Sequence, residues 1–411
     1  MREAIAGSRR RDVRLIYLLA VFITTSQGVL ELTFPLDLHR LGFSLPLVGA
    51  AVAALGLGQI LSRIPGGVWY RLAWARWLSA AALAAFSLST IGLAYAQSWQ
   101  VLAGLAAVHG FAFGLVTTFM LAILIDLRLP RGRVATTMAW YTAAISAGYA
   151  VGAPLGAQAI VQLGYAPAFW VSGGTGLAAA SLCLALRLEV GAGGSQTAPR
   201  RARPRLGALG ALLGLPPGVW LATLLVFYIN FISDLLGAFF PIYAVGIGIP
   251  IAFIGILKSV NSLSATGIRF AAAALFRFLD PGPVNHASVL AMAVAVVGIS
   301  LFSGQGWLLA LFALIGVSRG LIRVTSATSV AEERALPGAH TGLSSGVYNA
   351  GLDAGSMLAP PLGGALAAVI GIPGSFQAAA IALPAFYYGA WLWIRSRPGR
   401  VAQSLPAASA E

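Results

Sequence analysis

The sequence predicts an all-α membrane protein with twelve transmembrane helices in two pseudo-symmetric six-helix bundles. Three observations lead to this fold class: a very apolar composition, apolar stretches long enough to cross a bilayer, and a direct repeat of one half of the chain in the other. The 411 residues are 58% hydrophobic and only 9% charged. A soluble fold has no way to bury this much apolar surface, whereas lipid tolerates it.

Twelve apolar stretches are long enough to cross the hydrocarbon core, which takes about 20 helical residues. The segments between them on one side are very short, so neighbouring helices form antiparallel hairpins. The predicted spans are residues 14–37, 46–67, 77–97, 99–125, 135–161, 166–187, 218–243, 250–275, 286–304, 306–330, 342–368 and 375–396.

The second half of the chain repeats the first in the same order and direction. At an offset of 207 residues Pro154 matches Pro361, and at an offset of 206 residues Pro35 matches Pro241. Parallel duplication in so apolar a chain is typical of transporters built from two bundles around an axis along the membrane normal. The predicted domains are an N-terminal bundle over 1–189, a cytoplasmic linker over 190–216 and a C-terminal bundle over 217–411.

Arginines indicate the orientation, because positive charge near span ends stays in the cytoplasm. Only Arg40 lies on the opposite side. We therefore predict a protein of the cell (inner) membrane with both termini in the cytoplasm. The net charge of +14 is then a topology signal, and binding to nucleic acid is not expected. The arginines on the cytoplasmic side are Arg2, Arg9, Arg10, Arg11, Arg14, Arg71, Arg76, Arg128, Arg131, Arg133, Arg200, Arg201, Arg203, Arg205, Arg395, Arg397 and Arg400.

Few residue patterns support enzyme chemistry. The sole cysteine, Cys183, lies in an apolar span, which excludes an intrachain disulfide or a cysteine metal cluster. Lys258 follows Leu257 instead of the glycine of a P-loop, so direct ATP hydrolysis is excluded as well. We expect no cofactor and no metal, and transport must draw on a gradient. An intramembrane enzyme or a scaffold is the alternative from another class.

Ionisable residues inside the spans indicate which helices face the interior. A charge at mid-membrane costs roughly 2.5–3.5 kcal/mol unless it faces protein or water. Spans 3, 6, 9 and 12 hold no such residue in their interiors, so these helices are free to face lipid and the others can line a polar interior. The ionisable residues singled out in spans 1, 4, 7, 8, 10 and 11 are Glu31, His109, Asp234, Lys258, Arg319 and Asp353.

Segment 351–364 combines small residues with two prolines, and segment 148–157 is its counterpart in the first half. Small residues at every fourth position let helices pack closely, and a proline bends a helix. Both segments are similar to the glycine-proline signature of helix 5 in the major facilitator superfamily, which there is typical of drug-exporting antiporters. The better copy here lies in helix 11. The predicted packing motif comprises Gly148, Gly152, Pro154, Gly156, Gly351, Gly355, Pro360, Pro361, Gly363 and Gly364.

The loop after the second span, residues 66–71, resembles the glycine-aspartate-arginine loop of the same family, with Tyr70 in the aspartate position. In the family, the arginine holds an acidic residue at the cytoplasmic end of helix 4 or 10. The resemblance therefore implies two gating pairs, Arg71 with Asp126 and Arg277 with Glu333. The alternative is that these arginines only anchor helix ends.

Asp234 and Lys258 lie at similar depth, roughly 10–12 Å below the outer surface at a 1.5 Å rise per residue. A buried ammonium needs a carboxylate, so we predict that the two pair, either as a switch or as a static bridge. A carboxyl group among apolar groups holds its proton nearer to neutral pH. Glu31 is the first predicted proton carrier, followed by Asp353 together with Asp234.

Arg319 is predicted to hold an anionic group or to clamp Asp353, and His109 is either a packing residue or part of the cavity. The predicted substrate cavity comprises Gln27, His109, Tyr141, Asn230, Asp234, Lys258, Asn261, Arg319, Tyr348 and Asn349.

These features predict a secondary active transporter that moves a small solute by alternating access. The leading hypothesis is proton-coupled efflux of a lipophilic compound, and the alternative is a proton symporter that imports a sugar or an organic acid. Efflux is favoured by the glycine-proline signature and by three acidic residues against two basic ones among the deepest sites. The expected partners are the solute, protons and the lipid bilayer, and we expect a monomer.

Overall fold

The computed structural model describes residues 2–126, 131–188, 215–334 and 341–396, and all regular structure in these ranges is helical. The last helical unit, Thr341–Arg395, bends at Gly371 (φ 76°, ψ 163°) and so divides into α11 (341–370) and α12 (372–395). The twelve helices of the described ranges are consistent with the twelve predicted spans. The others are α1 Arg2–Arg40, α2 Leu45–Trp69, α3 Leu72–Leu93, α4 Trp99–Asp126, α5 Arg131–Leu163, α6 Tyr165–Leu184, α7 Pro217–Gly246, α8 Ile251–Leu275, α9 Pro281–Leu301 and α10 Gln305–Arg334.

All of these helical units are long and apolar enough to cross a membrane. Three helices begin at least five residues earlier than predicted: α1 begins at Arg2 instead of residue 14, α3 at Leu72 instead of residue 77, and α9 at Pro281 instead of residue 286. Their first turns carry polar or amphipathic side chains such as Arg76 and Asn285, which a hydropathy pattern counts as loop although they suit the end of a helix at a membrane surface. Of the predicted linker, all but Leu215 and Pro216 lies outside the described residues, so the domain limits stay predictions.

The repeat extends to the backbone of the hairpin turns. Positive φ angles occur at Gly42 (87°) and Gly248 (83°), which are 206 residues apart, and at Gly164 (94°) and Gly371 (76°), which are 207 residues apart. Glycine adopts this region without the steric cost that a Cβ brings. Two hairpin turns of the first half and the two corresponding turns of the second half therefore use the same glycine conformation.

Each half packs internally in the same pattern. In the first half α1 contacts α5, α2 contacts α4 and α3 contacts α6; in the second half α7 contacts α11, α8 contacts α10 and α9 contacts α12. Most glycines of the predicted packing motif lie on these contacts. Gly148 and Gly152 face α1, where a Cβ would meet Thr24 and Thr25, and Gly355 faces Phe227 of α7.

The two halves meet where α2 packs against α11 and α5 packs against α8. At Gly49 of α2 a Cβ would overlap the carbonyl oxygen of Pro360, and Gly364 lies against Leu45. On the other side, Gly255 of α8 lies against Pro154. These contacts are at the end of the bundle that carries the turns 41–44 and 247–250, called the outer end below. The halves are therefore packed together at the outer end.

Gly49→Ala tests this packing. The added methyl group has no room against the Pro360 backbone, and overpacking of this kind costs about 1–3 kcal/mol. We expect a lower midpoint of thermal unfolding for the full-length protein in detergent. Gly104→Ala is the matched control, because Gly104 lies within α4 with open space around it. Equal midpoints for the two variants would contradict the close approach of α2 and α11.

Candidate functional site

A cavity of about 710 Å³ lies between the two halves, a size typical of small-molecule sites. Its walls come from α1, α2, α4 and α5 of the first half and from α7, α8, α10 and α11 of the second. None of its lining residues belongs to α3, α6, α9 or α12, the helices whose spans were predicted to be free of charge. Most predicted site residues line it: Gln27, Glu31, Asn230, Asp234, Lys258, Asn261, Arg319, Asn349 and Asp353.

His109 does not line the cavity, although it was predicted as a cavity residue. Its ring is fully buried behind Gln27, with Nε2 2.8 Å from Gln27 Oε1 and Nδ1 2.7 Å from the Thr90 hydroxyl. In the neutral ring, Nε2 donates to the amide oxygen and Nδ1 accepts from the hydroxyl. His109 therefore orients Gln27, as its packing alternative predicted.

The two predicted tyrosines are also absent from the lining. Tyr141 is buried in the core of the first half, with 7% of its surface exposed. The hydroxyl of Tyr348 lies 3.1 Å from the Ser326 hydroxyl of α10. Both predictions were wrong because each side chain turns from its helix toward a neighbouring helix of its own half instead of the other half.

The Lys258 ammonium crosses the cavity from α8 to α1 and donates to the backbone carbonyl of Glu31 at 3.0 Å. That carbonyl needs an external donor because Pro35, four residues later inside α1, has no N–H. A free carbonyl within the membrane must be satisfied by another group, and Lys258 supplies the donor. The predicted contact ion pair between Asp234 and Lys258 is not formed among the described salt bridges. By leaving the Glu31 carbonyl free, Pro35 gives the Lys258 ammonium an acceptor other than Asp234.

Glu31, Lys258 and Asp234 are nevertheless electrostatic neighbours, and together they are called the central cluster below. Gln27 donates from Nε2 to Glu31 Oε1 at 3.4 Å. The side chains of Tyr149 and Ser356 complete the surroundings: Tyr149 lies beside the Glu31 carboxylate, and Ser356 lies beside that of Asp234. Tyr149 was not predicted, because a tyrosine in an apolar helix gives no sign of its direction.

Asp353 forms an ion pair with Arg63 at 2.7 Å, which joins α11 to α2 across the two halves. The predicted clamp of Arg319 on Asp353 is therefore wrong. Arg319 instead donates from Nη1 to the Ser233 hydroxyl at 3.3 Å. Helices α2 and α11 lie in contact, so Arg63 reaches this carboxylate more directly than a residue of α10 does.

Three cations of the lining were not predicted as site residues: Arg63, Arg269 and Arg323. They lie within predicted spans 2, 8 and 10, so their position inside apolar stretches was a usable signal. Counting residues from the outer end of each helix would have placed Arg63 and Arg269 at the same depth, 18 residues from Leu45 and Ile251 respectively.

At the other end of the bundle, Asp126 accepts a hydrogen bond of 2.8 Å from the hydroxyl of Tyr70. The predicted gating pair of Arg71 with Asp126 is not formed among the described salt bridges. Tyr70 stands in the aspartate position of the family loop and itself reaches the acidic residue. Burial and the hydrogen bond to Asp126 raise the pKa of the Tyr70 hydroxyl, so it stays a donor. The side chain of Glu333 lies outside the described residues, so its pairing with Arg277 stays a prediction.

Metal ligands are not grouped in this site. Within the described ranges, no three His, Cys, Asp or Glu residues lie close enough together to hold a metal ion. The cavity therefore offers charged and amide groups for direct binding of a solute.

Comparison with known proteins agrees with this architecture. The sequence profile of the Major Facilitator Superfamily matches residues 16–335. No curated protein sequence matches the chain. Among solved structures, the chain is similar to a bacterial homolog of the human lysosomal transporter Spinster in an inward-facing and unoccupied conformation, with a TM-score of 0.75, 14% identity and coverage of 95% of this chain and 98% of the other. It is also similar to the nucleoside transporter NupG, with a TM-score of 0.71, 13% identity and coverage of 94% and 98%.

His109→Leu tests the buried network. The substitution removes the donor to Gln27 Oε1, and a buried polar atom without a partner costs about 1–3 kcal/mol. We expect a lower thermal midpoint of the purified protein. His39→Leu is the control, because His39 is exposed at the end of α1. An unchanged midpoint for His109→Leu would show that the network does not stabilise the first half.

Proposed function

This chain belongs to the Major Facilitator Superfamily, and we propose that it imports a small polar solute by proton-coupled alternating access. It is a multi-pass membrane transporter and not an enzyme. The observation that carries the proposal is the central cluster, in which a lysine of one half donates to the backbone beside a carboxylate of the other half. A contact of this kind has to change whenever the two halves move against each other.

Charge balance within the central cluster supports proton coupling. Lys258 carries one positive charge, and Glu31 and Asp234 carry two negative charges when both are ionised. Arg319 also lies close enough to act on both carboxylates, so without solute two cations balance two ionised carboxylates. A solute that draws on this positive charge would favour protonation of one carboxyl group, because excess charge is costly at membrane depth. Glu31 is the proposed proton site, because Gln27 and Tyr149 can hydrogen-bond its carboxyl group in either state. Asp234 and Asp353 are the further candidates.

Two contacts cross the cavity and support a rocking motion of the halves. Lys258 joins α8 to α1, and Arg63 joins α2 to Asp353 of α11. The outer ends are packed through Gly49 and Gly255. Opening the outer end requires the helices at both interfaces to separate. Protonation of a carboxyl group and binding of the solute would both change the charge near Lys258. They would thereby shift the equilibrium between the closed and the open outer end.

The lining favours a polar solute over the lipophilic one predicted first. The efflux hypothesis relied on an excess of acidic groups, but Arg63, Arg269 and Arg323 join Lys258 and Arg319 in the lining. Cations thus outnumber carboxylates by five to three. A lipophilic compound would leave these charges without compensation, so we propose the predicted alternative, a proton symporter. From the distribution of arginines we also propose the cell (inner) membrane and cytoplasmic termini. The monomer stays a prediction.

Glu31→Gln tests proton coupling. Full-length protein in liposomes with an internal pH-sensitive dye is exposed to a panel of sugars and organic acids. We expect wild type to move protons with at least one compound, and Glu31→Gln to lose at least about 90% of that signal, because an amide cannot carry the proton. Solute exchange at equal pH on both sides should persist in the variant.

Asp280→Asn is the matched control for this experiment, because Asp280 is exposed in the loop before α9. It should move protons as wild type does. Unchanged proton movement in Glu31→Gln would contradict the assignment of Glu31. Proton-independent solute flux in wild type would contradict proton coupling as a whole.

A further inference from the structure

Three arginines of the second half line the cavity together: Arg269 of α8 and Arg319 and Arg323 of α10, called the arginine cluster below. Arg319 donates to the Ser233 hydroxyl at 3.3 Å, and Arg323 donates from Nη1 to Asn230 Oδ1 at 3.4 Å. The Nε atoms of Arg269 and Arg319 are buried and have no hydrogen-bond partner. Buried donors without a partner in the protein are rare, and these two line the cavity, where a ligand can accept from them.

The three guanidinium groups repel one another, because Arg269 lies close to both Arg319 and Arg323. No member of the arginine cluster forms a salt bridge among the described residues. The nearby carboxylates are already engaged: Asp353 pairs with Arg63, and Asp234 is shared with Lys258. Arg319 and Arg323 therefore share carboxylates that other cations also use, and the lining holds five cations for three carboxylates. Excess positive charge at membrane depth is costly, and an entering anion would supply the missing negative charge.

The duplication shows that the fold does not require this cluster. Helices α4 and α10 match at the 206-residue offset, where Gly316 and Gly320 correspond to Gly110 and Gly114 and make equivalent contacts. At this offset Arg319 corresponds to Phe113, and Arg323 corresponds to Thr117. Neither of these residues is charged. An equivalent helix thus packs without any arginine, so the cations of α10 are additions to one half.

Arg269 shows the same asymmetry in another way. Its counterpart at the 206-residue offset is Arg63, which is paired with Asp353. The residue that corresponds to Asp353 at the 207-residue offset is Ser146, which also lines the cavity. Arg63 therefore has an acidic partner. Arg269 lacks the equivalent partner, because a serine stands where the repeat would place the aspartate.

We propose that the solute is a small organic anion, whose carboxylate or phosphate group is held by Arg269, Arg319 and Arg323. Nε–H and one terminal N–H form the edge of a guanidinium that binds two oxygens of such a group side by side. In both Arg269 and Arg319 the Nε–H of this edge has no hydrogen-bond partner in the protein. The cavity of about 710 Å³ leaves room for an organic body beyond the anionic group.

This inference rests on the proposed function and gives the coupling a direction. An anion adds negative charge near Glu31 and Asp234, which makes protonation of a carboxyl group more favourable. The bound proton in turn favours the anion by the same factor, since linkage is reciprocal. Mutual enhancement is what a symporter needs, whereas an antiporter needs competition between proton and solute.

The test is equilibrium binding to the full-length protein in detergent, at constant ionic strength and without a gradient. The probes are benzoate, phenyl phosphate and the neutral benzyl alcohol, and the readout is the shift of the thermal midpoint with probe concentration. We expect a saturable shift with one or both anions and none with the alcohol. The two anions distinguish carboxylate from phosphate recognition.

Arg269→Gln and Arg323→Gln should each weaken anion binding about tenfold or more, because each removes a charge-assisted hydrogen-bond donor. Arg395→Gln is the matched control, since Arg395 is exposed on the surface of α12. Unliganded midpoints of all variants are measured alongside, which separates loss of binding from loss of folding. A shift with benzyl alcohol equal to that with the anions, no shift with either anion, or full affinity in both arginine variants would overturn the proposal.

Failure here is distinguishable from failure of the proposed function. Anion binding without proton movement in liposomes would contradict the coupling and leave the anion site intact. Proton-coupled flux of a neutral compound, together with no anion binding, would contradict the anion site and leave the coupling intact.

Discussion

The exclusion of charge from lipid is the constraint on which the rest of this structure depends. Every ionisable residue deep within a spanning helix must face protein or water, because lipid offers neither hydrogen bonds nor counter-charge. The structure meets this requirement by directing Glu31, Asp234 and Lys258 into one cavity between the halves. Backbone groups obey the same rule: the carbonyl that Pro35 leaves free is satisfied by the Lys258 ammonium from the opposite half. Polar groups thus accumulate at the interface between the halves, where movement changes their surroundings.

The duplication applies to the backbone, and among the charges of the cavity it retains only the pair Arg63 and Arg269. Positive-φ glycines, helix-bending prolines and tight glycine contacts recur in both halves, because they determine how six helices pack. Glu31 corresponds instead to Gly237, and Lys258 corresponds to Val52. The scaffold is therefore symmetric and the chemistry is not. In the proposed function, the first half supplies the proton site and the second half supplies the cations that hold an anion, so proton and solute are bound on opposite sides of the interface that moves.

Hydropathy and repeat patterns predicted the twelve helices, their pairing into hairpins and the freedom of helices 3, 6, 9 and 12 from cavity residues. These properties depend on local sequence, since apolar length fixes a span and buried charge is disfavoured wherever it occurs. The same reasoning named residues that line the cavity, including Asn230 and Asn261. It failed for Tyr141 and His109, because a residue type does not reveal which neighbouring helix its side chain meets.

The sequence by itself determined the fold class, the duplication and the set of scarce ionisable side chains from which a transport site could be built. Only the tertiary structure decided their partners. Lys258 donates to a backbone carbonyl and not to Asp234, and Asp353 pairs with Arg63 and not with Arg319. Such pairings depend on the rotation and lateral contacts of whole helices, which are set by packing between residues hundreds of positions apart. The physical reason is that span length is a property of one segment, whereas a hydrogen bond or an ion pair is a property of two.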